Sequence, residues 1–190
     1  MPNWCENNLI VSGEKSELDK FKKEVQGTGW DSVTPSLLDF NQIIPMPQEV
    51  IDEGYDESGY SWETANWGCK WGAHEVDFYE SDKALHYYFE TPWSPPEPIL
   101  LAMGDKYSKL DFRLEYTEYG MNFQGEIYIE QGVPHFHNSE DIPQKKLHEV
   151  FDHELESPLD YPDCPLCQEL IGDEREQKIR KDIEEEYVDV

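Results

Sequence analysis

The chain has 190 residues, 37% of them hydrophobic and 13% aromatic, enough bulky side chain for one cored domain with an appendage. Its 15 Lys and Arg stand against 42 Asp and Glu, a formal net charge of −27. Such a field repels phosphate backbones and anionic membrane surfaces, so it argues against direct nucleic-acid or membrane binding and favours basic partners.

MPNWCENN is too polar for a signal peptide, and no apolar run is long enough to span a bilayer. The expected location is the cytosol, with Cys5, Cys69, Cys164 and Cys167 reduced. NNLIVSG (7–13) is a short apolar run closed by Ser-Gly, which predicts a strand. EKSELDKFKKEVQGTG then predicts a helix. Ser16 stands at the N-cap with Asp19 three residues on, and Leu18, Phe21 and Val25 share one face ahead of Gly27.

Residues 28–73 keep no period. LLDFNQIIPMPQEV is broken by two prolines and DEGYDESGYSWE is polar and glycine-rich, so the segment reads as a long insertion with local structure at best. From 74 the period becomes two. HEVDFYES and ALHYYFET flank a short polar turn and predict a β-hairpin, with Val76, Phe78, Leu85, Tyr87 and Phe89 inward. WSPPEPILLAMGDKYSK predicts a helix with Ser94 as cap and Glu97 at the capping-box position. LDFRLEYT and FQGEIYIEQG alternate again, with Leu110, Phe112, Leu114, Tyr116, Ile127 and Ile129 inward. The order predicts an α+β fold: a ferredoxin-like antiparallel sheet (βαββαβ) with one added strand, spanning residues 1–134.

Residues 135–190 are expected to form an acidic, mostly helical extension. Positions 138–190 hold 17 acidic and 6 basic residues, and Leu147, Val150, Phe151 and Leu155 make an amphipathic stripe.

Two helices cover one face of such a sheet and leave the other open. Alternation assigns to that face Glu75, Asp77, His86, Tyr88, Glu90, Asp111, Arg113, Glu115, Glu126, Tyr128 and Glu130. RNA-recognition modules share the topology and stack bases on aromatics there, as Tyr88 and Tyr128 could. Seven carboxylates and one arginine oppose that reading, because phosphates avoid such a surface. Either the C-terminal extension or a basic partner is expected to cover the face.

CPLC at 164–167 is half of a zinc knuckle, and four ligands are needed. His148 and His153 lie upstream, but five residues apart on a helix they point about 140° away from each other. His135 and His137 are another pair. A structural zinc in the tail and a turn with two free thiols are both open. Cys5 and Cys69 have no sequence-adjacent base and read as buried small residues. With no phosphate loop, no GxSxG and no HExxH, no enzyme class stands out.

Four aromatic loops remain: NWCEN (3–7), NWGCKW (66–71), TPWSPP (91–96) and YTEYGMNFQG (116–125). Trp4, Trp67, Trp71 and Trp93 could wall a small-ligand pocket or active site, with Lys70 and Glu118 as its charged groups. The preferred reading is that these loops fasten the insertion to the edge of the sheet.

In combination, NWCENNLIVSG, NWGCKW, FETPWSPP and EYGMNFQG resemble the Api92-like or YubB-type proteins, over about residues 1–132. Position 69 is Cys where that pattern has Thr, and the tail lies outside the resemblance. The resemblance implies a ferredoxin-like domain of a bacteriophage or conjugative plasmid, working in the host cytosol, and supplies no catalytic residues. Together with the charge it suggests a non-enzymatic acidic protein that binds a basic host or competitor protein, an inhibitor imitating nucleic-acid charge.

Overall fold

The computed structural model describes residues 3–29, 33–136 and 139–142. The chain divides into two units, Met1–Asp141 and Ile142–Val190, and the described strands and helices all belong to the first. Strand β1 (Trp4–Ser12) leads into helix α1 (Lys15–Glu24), then to a two-residue pair, β2 (Gly27–Thr28) and β3 (Pro35–Ser36). The insertion continues through a 3-10 turn at Phe40–Gln42, α2 (Gln48–Glu53), a π-helical turn at Tyr55–Gly59 and α3 (Tyr60–Asn66). The hairpin β4 (His74–Glu80) and β5 (Ala84–Pro92), helix α4 (Glu97–Lys106), β6 (Asp111–Glu118) and β7 (Phe123–Glu130) follow. Short strands β8 (Val133–Phe136) and β9 (Glu140–Asp141) both pair with β7.

The sheet order is β4-β5-β1-β6-β7-β8, antiparallel throughout. The first four of those strands, with α1 and α4, make the ferredoxin-like βαββαβ unit. Three strands extend it beyond β6 where the sequence suggests one, and pairing runs past residue 134 to Asp141. The short runs 133–136 and 140–141 carry too little alternation to be read as strands.

The inward set follows the period of two. Leu9 and Val11 (β1), Leu85 and Tyr87 (β5), Phe112 and Leu114 (β6), and Ile127 and Ile129 (β7) are all buried. Leu18 and Phe21 of α1 and Ile99, Leu100 and Met103 of α4 close the core over them. Phe21 packs edge-on against Tyr87, Tyr107 and Phe112, with ring centroids 6.2, 5.0 and 5.6 Å away. Gly104 lets α4 lie on β7, since a Cβ there would come within 2.8 Å of Ile129 Cγ2.

Neither helix starts as the sequence suggests. The N-cap of α1 is Glu14, without a side-chain capping bond, so Ser16 lies inside the first turn. The N-cap of α4 is Pro96, and the Ser94 hydroxyl donates to the Gly68 carbonyl instead, 2.7 Å away. A tertiary partner has taken the hydroxyl that a helix end would otherwise use.

Candidate functional site

The four aromatic loops meet at one end of the sheet and bond to one another. Asn7 Nδ2 donates to Thr91 Oγ1 (2.9 Å), whose hydroxyl donates to the Ser94 carbonyl (2.8 Å), and Ser94 in turn reaches Gly68. The Trp93 amide donates to the Asn3 carbonyl at 3.0 Å. Glu118, buried on β6, accepts from the amides of Gly120 (3.0 Å) and Met121 and so shapes the β6–β7 turn. Gly68 has φ +82°, and a Cβ there would come within 2.7 Å of Pro98 Cδ, so glycine alone lets this loop meet the start of α4. These contacts are those of fasteners between the insertion and the sheet.

On the sheet's other face, register sorts the side chains into cross-strand rows. One row runs Glu90, Glu6, Thr117, Gln124 and Glu140. The next runs Asp77, Tyr88, Asn8, Glu115 and Glu126. A third runs Tyr79, His86, Ile10, Arg113, Tyr128 and His135, with Tyr128 and His135 stacked at 5.9 Å. Asp111 and Glu130 lie beyond it, and Glu75, at a bulge in β4, beside the first.

The rows are not uniform in charge. Arg113 bridges Glu115 and Glu126, at 2.8 Å to each, and Asn8 Nδ2 donates to the other Glu115 oxygen. At the β4–β5–β1 end, Glu6, Glu75, Asp77 and Glu90 form no ion pair among the described residues. Partial burial, then the charges of Glu75 and Glu6, hold the Glu90 carboxyl above the usual carboxylate range. Tyr88, between these acids, is 48% exposed.

A cavity of about 250 Å³ lies within the insertion, walled by the 3-10 turn, α2, the π-helical turn and the segment after α3. Phe40, Tyr55, Trp67 and Trp71 line it, with the carboxylates of Asp39 and Glu63. Trp67 is fixed by its indole N–H on the Ile44 carbonyl (2.9 Å) and by edge-on contacts with Phe40 and Trp62. Trp71, at φ +66°, donates its amide to Glu63 Oε2 (2.7 Å), and its side chain bonds the Tyr55 hydroxyl. Burial pushes the Glu63 carboxyl up, against the lowering effect of that amide.

The tryptophans grouped in the sequence are thus divided. Trp67 and Trp71 line the cavity; Trp4, Lys70, Trp93 and Glu118 do not. Trp4 leans on His74, with ring centroids 4.8 Å apart, and Trp93 is 43% exposed. Lys70 Nζ stands over the Trp71 ring, 3.8 Å from its centroid. The sequence reading missed Asp39 and Glu63, which sit in LLDFNQII and YSWETANW; apolar residues flanking a lone acid were the available signal. Leu38, Phe40, Ile43, Trp67 and Cys69 of the insertion are buried in the main core, so it is more than local structure.

Both described cysteines are buried and free, with the Cys5 thiol pushed up to about 12 by burial and the neighbouring Glu118 and Glu6 charges. Neither is a nucleophile at neutral pH. Cys164, Cys167, His148, His153 and His137 lie outside the described residues, as does the amphipathic stripe of the tail. Among the described residues no cluster of three or more His, Cys, Asp or Glu could hold a metal, and no helix is long and apolar enough to cross a membrane.

Residues 66–154 match the family described as the ferredoxin-like domain in Api92-like protein. A solved structure, the crystal structure of the protein Api92 from Yersinia pseudotuberculosis, is similar over 75% of this chain and 99% of that one. Its TM-score is 0.61 and its identity 9%, a likeness of fold. No curated protein matches the sequence.

Proposed function

On the premise that this chain is an Api92-like protein built on a ferredoxin-like domain, we propose that it is a non-enzymatic binding protein whose acidic sheet face docks a basic protein surface. The observation that carries this is the run of four carboxylates at the β4–β5–β1 end, Glu6, Glu75, Asp77 and Glu90, without an ion pair among the described residues. A lysine- or arginine-rich surface would relieve their mutual repulsion and be steered to them by the whole chain's charge. Exposed Tyr88 gives the patch an aromatic anchor of the kind enriched in interfaces. The partner class proposed is a basic host or competitor protein, a nucleic-acid-binding one included, with the protein belonging to a phage or other mobile element and imitating the charge of the nucleic acid.

The test compares two triple variants of equal charge change. One is Glu6→Gln, Asp77→Asn and Glu90→Gln on the face; the other is Glu49→Gln, Glu57→Gln and Asp105→Asn, exposed positions off the face. A lysine- and arginine-rich peptide is expected to bind the face variant about tenfold or more weakly than the control, with binding lost near 1 M salt, where screening is complete within about 3 Å. Equal affinity for both variants, or binding unchanged in that salt, would overturn the proposal.

A further inference from the structure

The cavity in the insertion joins two features that call for the same kind of occupant. Phe40, Tyr55, Trp67, Trp71, Asp39 and Glu63 line it, and among the described residues none of its lining is Lys, Arg or His. Asp39 and Glu63 are each only 7% exposed, and neither forms an ion pair among the described residues.

The two acids are not equivalent. Asp39 engages both oxygens, Oδ1 with the Asn41 amide (2.9 Å) and Oδ2 with Gln42 Nε2 (3.2 Å), and so holds the 3-10 turn. The Glu63 carboxylate accepts the Trp71 amide on Oε2 as its one hydrogen bond among the described residues, and its Oε1 keeps some accessible surface. A carboxylate so largely withdrawn from water favours a proton or a cation beside it. Burial pushes the Glu63 carboxyl up, against the lowering effect of the Trp71 amide.

We propose that this cavity is a binding site for a small organic cation, an alkylammonium or quaternary ammonium group. The aromatic faces attract such a charge by their quadrupoles, and Glu63 supplies the counter-ion. Trp71 already draws an ammonium in this chain, that of Lys70. An anion is repelled by the two carboxylates. A neutral apolar ligand would leave Glu63 unpaired, and a bare metal ion would lack a donor cluster, none being present among the described residues. The volume of about 250 Å³ suits a small head group rather than a nucleotide. This inference is independent of the sheet-face reading, since the site lies on the other elements of the fold.

Choline and its uncharged carbon isostere, 3,3-dimethylbutanol, provide the test by calorimetric titration of the intact protein. Choline is expected to bind with Kd of about 1 mM or tighter, and the isostere at least about tenfold more weakly, the discrimination a cation–π site provides. Glu63→Gln keeps an acceptor for the Trp71 amide and is expected to cost choline about tenfold in affinity with its circular dichroism unchanged. Glu49→Gln, on the exposed side of α2, should bind as the parent does. A peptide carrying trimethyl-lysine separates the sources: tighter binding than choline assigns the ammonium to a protein side chain, weaker binding to a free metabolite. Equal binding of choline and the isostere, no binding of choline by the folded protein, or full affinity in Glu63→Gln would each overturn the proposal.

Discussion

The outward sheet face of the first unit and the cavity are both acidic, yet they handle carboxylates in opposite ways. On the face, Glu6, Asp77, Glu90, Glu115 and Glu126 stand in rows fixed by strand register, partly solvated, and the sole arginine bridges two of them. In the cavity, Glu63 forms no ion pair among the described residues and shares the lining with four aromatic residues. The first arrangement acts through a summed field that salt weakens; the second acts through one desolvated group that salt barely reaches. A long-range docking surface and a short-range recognition pocket are therefore different uses of the same residue type.

Deleting one aromatic ring from each region is the strongest way to break that contrast. Trp67→Ala removes a buried indole together with its hydrogen bond and should cost about 3–5 kcal/mol, whereas Tyr88→Ala on the face should stay within about 0.5 kcal/mol. Urea unfolding of both variants measures the difference, and similar losses would mean that the face is packed like a core.

Next in size are the glycines that shape the insertion. Gly68→Ala meets both a positive φ and the ring of Pro98 and should lower stability by about 2–3 kcal/mol. Gly54→Ala has open space around it but a φ of +93° with ψ of 165°, a backbone region that glycine almost alone occupies, so about 1–3 kcal/mol is expected from conformation only. Thermal melts of the pair would show whether the fastening of the loop, rather than its backbone conformation, sets the larger effect.

Glu63→Gln sharpens the electrostatic side. A carboxyl raised above its unfolded value destabilises the fold above its folded pKa, and that penalty is absent below the unfolded value of 4.5. The parent should therefore gain stability relative to Glu63→Gln as pH falls from neutral toward 4.5, by up to about 1 kcal/mol. Glu80 has the opposite sign. Hydrogen bonds from Lys15 and Lys22 lower its carboxyl to about 2, so its contribution is present above 4.5 and is lost as pH falls through 2. Glu80→Gln should flatten only that acid limb, which denaturation midpoints across pH would reveal.

The smallest expected effect is on the face. Neutralising Glu6, Asp77 and Glu90 together should raise stability by a few tenths of a kcal/mol, roughly 0.2–1 in all, at low salt, and by less as salt is added. A gain that persists at high salt would show that these carboxylates suffer from burial rather than from one another.

Strand periodicity was the readable part of this molecule. Leu85, Tyr87 and Phe89, or Phe112 and Leu114, point inward because a strand leaves alternate side chains no other choice once one face is covered. The hairpin, the α1 face of Leu18 and Phe21, and the outward rows follow from the same logic. The insertion resisted it because α2 and α3 span 6 and 7 residues, too short to display a helical period. Their apolar residues answer to Phe40, Trp67 and the main core rather than to a local repeat. Ser16 and Ser94 looked like caps for the same reason: a local rule was applied where, for Ser94, the distant Gly68 carbonyl held the hydroxyl.

The sequence by itself determined the ferredoxin-like order of elements, the acidic character of the outer face and the family motifs, all of which depend on neighbours along the strand or on composition. Tertiary structure alone decided which of the 42 acids matter singly. In the sequence Glu63 and Glu118 are two carboxylates among many. Folding gives Glu118 the amides of a turn and sets Glu63, with one amide, in the lining of an aromatic cavity, because desolvation depends on what packs around a group and not on what precedes it in the chain.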